Sequence, residues 1–515
     1  MSRTARSIKG LIADQGVNAA STLLVFVATP VLIRHLGKLD YGFWMMVMQM
    51  LGYIGLVDPG LGLQVTRAIS GAEEDSRLRR FLATAFYAQL GIAALFLAAG
   101  CGLGFILDRI VDLPANAKAK YVECYTIAVL VGGCGVITAY FVAVLAGRQR
   151  LVASSILGSV QQIVGLAVGS VAVGLGAGLL ALPLAYLATA LGALGGGLIL
   201  ARRCEPRLVL RLGEGCRQDL PALAGFSLYF QMAKLAFIAL TNTSGLMIAA
   251  VLGPASVAVY VVTSRLALTS GALIARAAIV AYPGISEIVA RRDQSGLRRV
   301  VVNMQYISAR VGIWMAIVIL IVNEFFVRLW VGMELYGGGI LTIAICSMVC
   351  RDALFRALGV VIYADGNLRQ FGWLSLVESV LTITLAFLCT RWFGLPGAVI
   401  GPLVSTMLVV SPYSFCRVAR IIGMPVRELL WCGTGQAFIR IIPAAIILLG
   451  VAWLLPQSLG WVWIIVIVLT ALAINILVFD APVLLRTRGE GWPQRLRALL
   501  EAPQAKKLGP VNPGN

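Results

Sequence analysis

Fourteen apolar stretches, each long enough to cross a bilayer, run through this 515-residue chain. Seven basic side chains lie inside them: Lys234, Arg265, Arg276, Arg310, Arg351, Arg356 and Arg440. A cation at the bilayer centre costs roughly 2.5–3.5 kcal/mol on insertion scales. Left facing lipid, the first six would together cost roughly 15–20 kcal/mol, more than the ~5–15 kcal/mol net stability of a typical fold. These side chains must face protein or water. A membrane interior with excess positive charge is built to hold something anionic.

The spans fall at roughly 9–33, 41–68, 81–106, 122–146, 151–175, 177–201, 222–250, 255–284, 299–322, 338–363, 368–390, 396–419, 436–455 and 461–480. With 59% hydrophobic residues and a mean hydropathy of +0.90, they predict an all-α polytopic membrane protein of about 14 transmembrane helices. Asp14, Gln15 and Asn18 interrupt the first stretch, which sets it apart from a cleaved signal peptide. Placing both termini in the cytoplasm puts 28 of the 42 Lys and Arg residues on the inner side and seven on the outer side, with seven inside the spans. This positive-inside bias accounts for most of the +19 net charge without nucleic acid. Ten cysteines are scattered, mostly in spans, and His35 is the sole histidine, so packed free thiols are expected and no metal site.

The chain repeats itself. Leu36-Gly37 precedes Leu78-Arg79-Arg80 as Leu252-Gly253 precedes Leu297-Arg298-Arg299, at an offset of about 217 residues, close to six spans. An even number of spans keeps both halves in one orientation. That predicts two six-helix bundles related by a pseudo-twofold along the membrane normal, with the binding site between them. The division is a lobe at 1–218, a lobe at 219–425, a helix pair at 426–482 that stands outside the repeat, and a tail at 483–515.

At 1.5 Å per residue, Lys234, Arg265, Arg310 and Arg351 all lie near the midplane. Arg276 is eleven residues from Arg265, within about 20° of the same helix face. Together they form a cationic track, and Gln231 and Thr241 beside Lys234 suit sugar hydroxyls. Against this stands internal pairing: Asp352 with Arg356 at helix spacing, and Glu378 with Arg310 or Arg351. Six cations against two acids leave four positive charges for a ligand. Asp58, Asp14 and Glu378 are the acids available for ion coupling. Asp58-Pro59-Gly60 also fits a helix break with Asp58 as the cap. Arg440, near the start of its span, can snorkel.

The run TPVLIRHLGKLDYGFWMMVMQMLGYIGLVDPGLGLQVTRAIS at 29–70 resembles the opening of bacterial polysaccharide–lipid flippases, the Wzx-like branch of the multidrug/oligosaccharidyl-lipid/polysaccharide exporter superfamily. The pieces that carry it are Arg34, Leu36-Gly37, Tyr41-Gly42, the Asp58–Gly60 turn and Arg67, with LGPASVAVYVVTSRLAL at 252–268, Pro283 closing that span, and RLWVG at 328–332. The resemblance implies alternating access and a cargo of polyprenyl-pyrophosphate-linked oligosaccharide, moved from the inner to the outer leaflet of a bacterial inner membrane. A polysaccharide polymerase and export proteins would be partners. A multidrug exporter of the same superfamily would want an acidic, aromatic site, the reverse of this interior. A membrane glycosyltransferase or polymerase would need a carboxylate or metal constellation, and the outer connections hold only scattered acids. No cofactor motif such as a Walker loop is present, so no cofactor and no enzymatic activity are expected.

Overall fold

The computed structural model describes residues 3–54, 61–71, 75–107, 111, 117–205, 228–453 and 460–479. Among them every regular element is helical, and each of the fourteen expected spans has a helical counterpart. Eleven helices are long and apolar enough to cross a membrane, or twelve if one bent pair is a single span. Two features account for the difference from fourteen. Helix α1 (Arg3–Ile54) breaks at Gly37 (φ 77°). Its apolar part, Gln15–Tyr53, is about 58 Å long at 1.5 Å per residue, nearly twice the ~30 Å bilayer core, and so supplies two spans. The helix Gly339–Asp365 carries Arg351, Asp352 and Arg356 in its middle, three charges in every stretch long enough to cross, against at most two in the helices counted.

The chain divides by contacts into Met1–Ala258 and Val259–Asn515. In the first unit α1 is followed by α2 (Leu61–Ser70), α3 (Asp75–Phe105), α4 (Lys118–Gly147), α5 (Leu151–Gly174), α6 (Ala181–Cys204) and α7 (Leu228–Leu252). Leu61, Val65, Leu78, Leu82, Tyr140, Phe141 and Leu145 interlock as its core, and the Tyr140 hydroxyl donates to the Leu82 carbonyl at 2.8 Å. Polar clamps close both ends. Asp40 accepts from Lys120 at 2.5 Å and from the Tyr121 hydroxyl at 2.8 Å. Arg148 reaches the fully buried Glu205 at 2.6 Å. Helix α7, with Lys234, joins this unit because it packs on the second half of α1, where Tyr53 hydrogen-bonds Thr243.

The second unit begins within α8 (Pro254–Thr263) and continues through α9 (Arg265–Ala290), α10 (Gln294–Trp330), α11 (Gly339–Asp365), α12 (Arg369–Phe393), α13 (Gly397–Leu408) and α14 (Val410–Ile421). Helix α9 runs past residue 283 to Ala290. The expected closure of that span at Pro283 is therefore corrected: a proline inside a helix removes one N–H bond, and membrane helices tolerate that loss. The hairpin of α12 and α13 approaches at backbone distance. A Cβ on Gly401 would meet the Ala386 amide nitrogen at 2.5 Å, whereas one on Gly192 would meet nothing within 4 Å. Gly401→Val should therefore lower stability by about 3 kcal/mol, while Gly192→Val stays near neutral. Thermal unfolding of the two purified variants checks this, and equal midpoints would refute the packing argument.

The repeat is written in the turns. Positive φ occurs at Gly37 (77°) and Gly253 (84°), at Gly178 (70°) and Gly394 (64°), and at Gln149 (56°) and Gly366 (78°). The members of each pair stand 216 or 217 residues apart and join corresponding spans. Left-handed backbone is where glycine is cheapest, so the short Leu-Gly echoes in the sequence mark a conserved geometry of helix reversal.

Last come α15 (Val426–Leu429), a π-helical turn at Leu430–Gly435, α16 (Gln436–Trp453) and α17 (Trp461–Phe479). Ile464, Ile467, Ala471, Asn475 and Phe479 form the buried stripe of α17. It lies on α10, with Trp461 against Phe326 and Phe479 against Tyr306, at ring separations of 6.0 and 6.4 Å.

Candidate transport site

The span expected as one helix at 255–284 is broken. Pro254–Thr263 and Arg265–Ala275 meet at 58°. Neither proline nor glycine stands at the break; side chains hold it instead. The Asn323 amide, 1% exposed on α10, donates to the Thr263 carbonyl at 3.0 Å and to the Thr342 hydroxyl at 3.2 Å. The Thr263 hydroxyl accepts from the Gly337 amide at 2.9 Å, and the Ser264 hydroxyl bonds back to the Tyr260 carbonyl at 2.6 Å. Such insertions into the helical ladder bend helices. Arg265 is the first residue after the bend.

Arg265 forms no ion pair with any described residue, and its buried Nε has no hydrogen-bond partner. Leu268, Ala272 and Leu273, on the same face of α9, are exposed. Arg276 follows on that face by helical spacing, although its side chain lies outside the described part. Against acyl chains a cation in a span costs roughly 2.5–3.5 kcal/mol, and the Arg265 side chain is half-buried among protein groups.

A second group is self-contained. Asp352 bridges Arg351 at 2.5 Å and Arg356 at 3.1 Å. Arg351, 8% exposed, also donates to the Thr406 hydroxyl of α13 at 3.2 Å. Glu378, 2% exposed, stands beside Arg351 and Thr406. Asp352 lies against α9 where glycine leaves room: a Cβ on Gly271 would sit 3.5 Å from its Oδ2. Six residues separate Gly271 from Arg265, about 240° around the helix, so the Asp352 group and Arg265 occupy different faces.

Arg310 turns elsewhere. Its Nε and a terminal nitrogen donate to Asn475 Oδ1 at 3.1 and 2.5 Å, and its guanidinium lies 4.4 Å from the centre of the Phe479 ring. Arg440 reaches the Tyr306 hydroxyl at 3.5 Å. Lys234 is half-buried in the first unit, and the Thr241 hydroxyl near it is engaged by the Phe237 carbonyl at 2.9 Å. The side chains of Gln231 and Asp14 lie outside the described part, as does residue Asp58 entirely. The buried polar residues Asn323, Thr406 and Asn475 were not singled out from the sequence; Asn475 is the one whose polarity stands out in its apolar span, whereas Thr406 follows Ser405 and Asn323 adjoins Glu324 at a span end. Among the described residues all nine cysteines are free and no group of acids, cysteines and histidine fits a metal.

A family model described as polysaccharide biosynthesis protein matches residues 7–289, more than half of the chain. The chain belongs to that family. No curated protein matches it. Solved structures share its fold. The lipid II flippase MurJ in an inward closed conformation aligns with a TM-score of 0.72 at 11% identity, over 93% of this chain and 99% of that one. An inward-facing multidrug resistance MATE family transporter of the MOP superfamily aligns at 0.55 and 14% identity, over 82% and 99%. An outward-facing one aligns at 0.56 and 13%, over 81% and 96%. Family and fold together describe a multi-span membrane protein of the polysaccharide biosynthesis family with the helical fold of these solved proteins.

Proposed function

We propose that this transporter flips an anionic polyprenyl-pyrophosphate-linked oligosaccharide from the inner to the outer leaflet of a bacterial inner membrane by alternating access. Its termini would be cytoplasmic, and it would serve cell-surface polysaccharide synthesis. The observation that carries this reading is Arg265: a half-buried arginine at a 58° helix break inside an apolar span, without an ion pair among the described residues. A half-helix starting there adds its own partial positive charge. Arg276 would extend the track. Arg351 and Arg310 are engaged within the protein, so we assign them to the framework.

The C-terminal helix pair supplies a place for the polyprenyl chain. Leu430, Trp431 and Phe438 line an apolar groove of about 840 Å³ at its start. Val462, Ile465, Leu469 and Leu472 form the exposed face of α17. A polyprenyl tail gains by resting there and cannot enter a cationic site.

Proteoliposomes carrying a fluorescent polyprenyl-pyrophosphate glycan test the proposal, with a membrane-impermeant quencher reading transbilayer movement. The pyrophosphate-linked glycan should flip and the same glycan on a neutral polyprenol should not. Export of a cationic drug instead would favour the multidrug reading, and equal flipping of the neutral lipid would remove the role of charge.

A further inference from the structure

On the second unit a groove of about 550 Å³ lies between the first turn of α12 and the end of α14. Its lining includes Arg369, Trp373, Tyr413, Cys416, Arg417 and Arg420. Arg417 is held by Asp365 at 2.5 Å. Arg369 and Arg420 are exposed and form no ion pair with any described residue. The groove therefore presents two uncompensated positive charges. None of its residues takes part in the Arg265 site or the Asp352 group.

Its position is that of a membrane interface. Arg369 opens α12 and Arg420 stands one residue before the end of α14. The intervening chain crosses twice, so both ends lie on one side, the side to which the basic loops assign the cytoplasm. Trp373, 53% exposed, lies at the same level, as tryptophan does at the headgroup boundary. From it an exposed apolar stripe runs along α12 through Val377 (53%), Val380 (62%) and Phe387 (41%). Its spacing of three, four and seven residues keeps one helix face. The groove thus joins a cationic pocket to an apolar track perpendicular to the membrane surface.

We propose that this groove binds an anionic phospholipid of the surrounding leaflet. The phosphodiester sits between Arg369 and Arg420, and an acyl chain follows Val377, Val380 and Phe387. Arginine provides paired charge-assisted bonds to phosphate oxygens, and basic pockets between helices at the cytoplasmic face suit such headgroups. The α12 N-terminus carries no side-chain cap, and its free amides favour the same charge. A zwitterionic lipid offers the same phosphate but brings an ammonium group that the arginines repel. A soluble anion would make no use of the stripe. The inference does not rest on the transport reading, because binding is measured without cargo.

The test is native mass spectrometry of the full chain, titrated with phosphatidylglycerol and with phosphatidylcholine of matched acyl chains. Phosphatidylglycerol should bind about 25-fold more tightly. Arg369→Ala/Arg420→Ala should erase that preference, given roughly a fivefold contribution per surface arginine. Arg292→Ala/Arg299→Ala, which removes two exposed charges on the same side, should preserve it. Unchanged phosphatidylglycerol affinity in the first double variant would overturn the proposal, as would equal binding of phosphatidylcholine. Displacement of the lipid by inorganic phosphate at equal concentration would make this a soluble-anion site. Displacement by polyprenyl pyrophosphate at far lower concentration would make it a dock for cargo. Either result overturns the lipid assignment.

Discussion

Replacing Arg265 by alanine should slow flipping of the pyrophosphate-linked glycan by about 10- to 100-fold, because hydrogen bonds to a charged group contribute roughly 1.5–3 kcal/mol. The protein itself should survive. Arg265 forms no ion pair with any described residue, so its removal leaves no partner buried and unpaired. The thermal midpoint should stay where it was, or rise as an unsatisfied cation leaves the membrane. Arg265→Lys keeps the charge but loses the planar fork that grips two phosphate oxygens, and should fall between the two. Flipping and unfolding measured on one preparation of each variant decide the matter. An alanine variant that flips at the parental rate would remove Arg265 from the cargo path. One that no longer folds would make it a structural residue.

Asp352→Ala should show the opposite pattern, with the largest expected loss of stability in the chain. The carboxylate holds Arg351 at 2.5 Å and Arg356 at 3.1 Å, in a group where the Arg351 side chain is 9% exposed. Breaking a buried pair from one side typically costs about 3–5 kcal/mol, since the remaining charge stays buried without its partner. That is a large part of the ~5–15 kcal/mol that holds a domain together. Low recovery of monodisperse protein and a sharply lowered midpoint are expected. Arg351→Met in the same chain should restore much of the loss, because the uncompensated cation leaves with it. Arg356→Ala alone should cost less, as Asp352 keeps Arg351. If Asp352→Ala unfolds with the parent, or Arg351→Met gives no rescue, the group does not stabilise the fold.

These two variants separate what the sequence presents as one class. By depth alone, Arg265, Arg310 and Arg351 are equivalent midplane cations, and the sequence offers each of them as a ligand for cargo. The structure sorts them by neighbour. Arg351 meets a carboxylate on its own helix and a hydroxyl from α13. Arg310 meets Asn475, 165 residues away, in a span that otherwise reads as apolar on every side. Among the described residues Arg265 meets neither. Helical spacing identifies the Asp352–Arg356 pair directly, because residues four apart share a face. Pairing across helices carries no such spacing.

The sequence determined that this is an all-helical membrane protein, where its spans lie, and that it is made of two related halves. Those properties rest on local quantities: twenty apolar residues cross a bilayer whatever surrounds them, and in lipid a helix satisfies its own backbone. One of the three turn pairs was legible as a Leu-Gly echo, at Gly37 and Gly253, since left-handed backbone favours glycine through its missing Cβ. Only the tertiary structure decided that the span at 255–284 breaks at Thr263 and Ser264. Nothing in that segment forbids a straight helix. The bend is held by Asn323 and Gly337, which lie 60 and 74 residues further along the chain and bond to Thr263 only after the helices have packed.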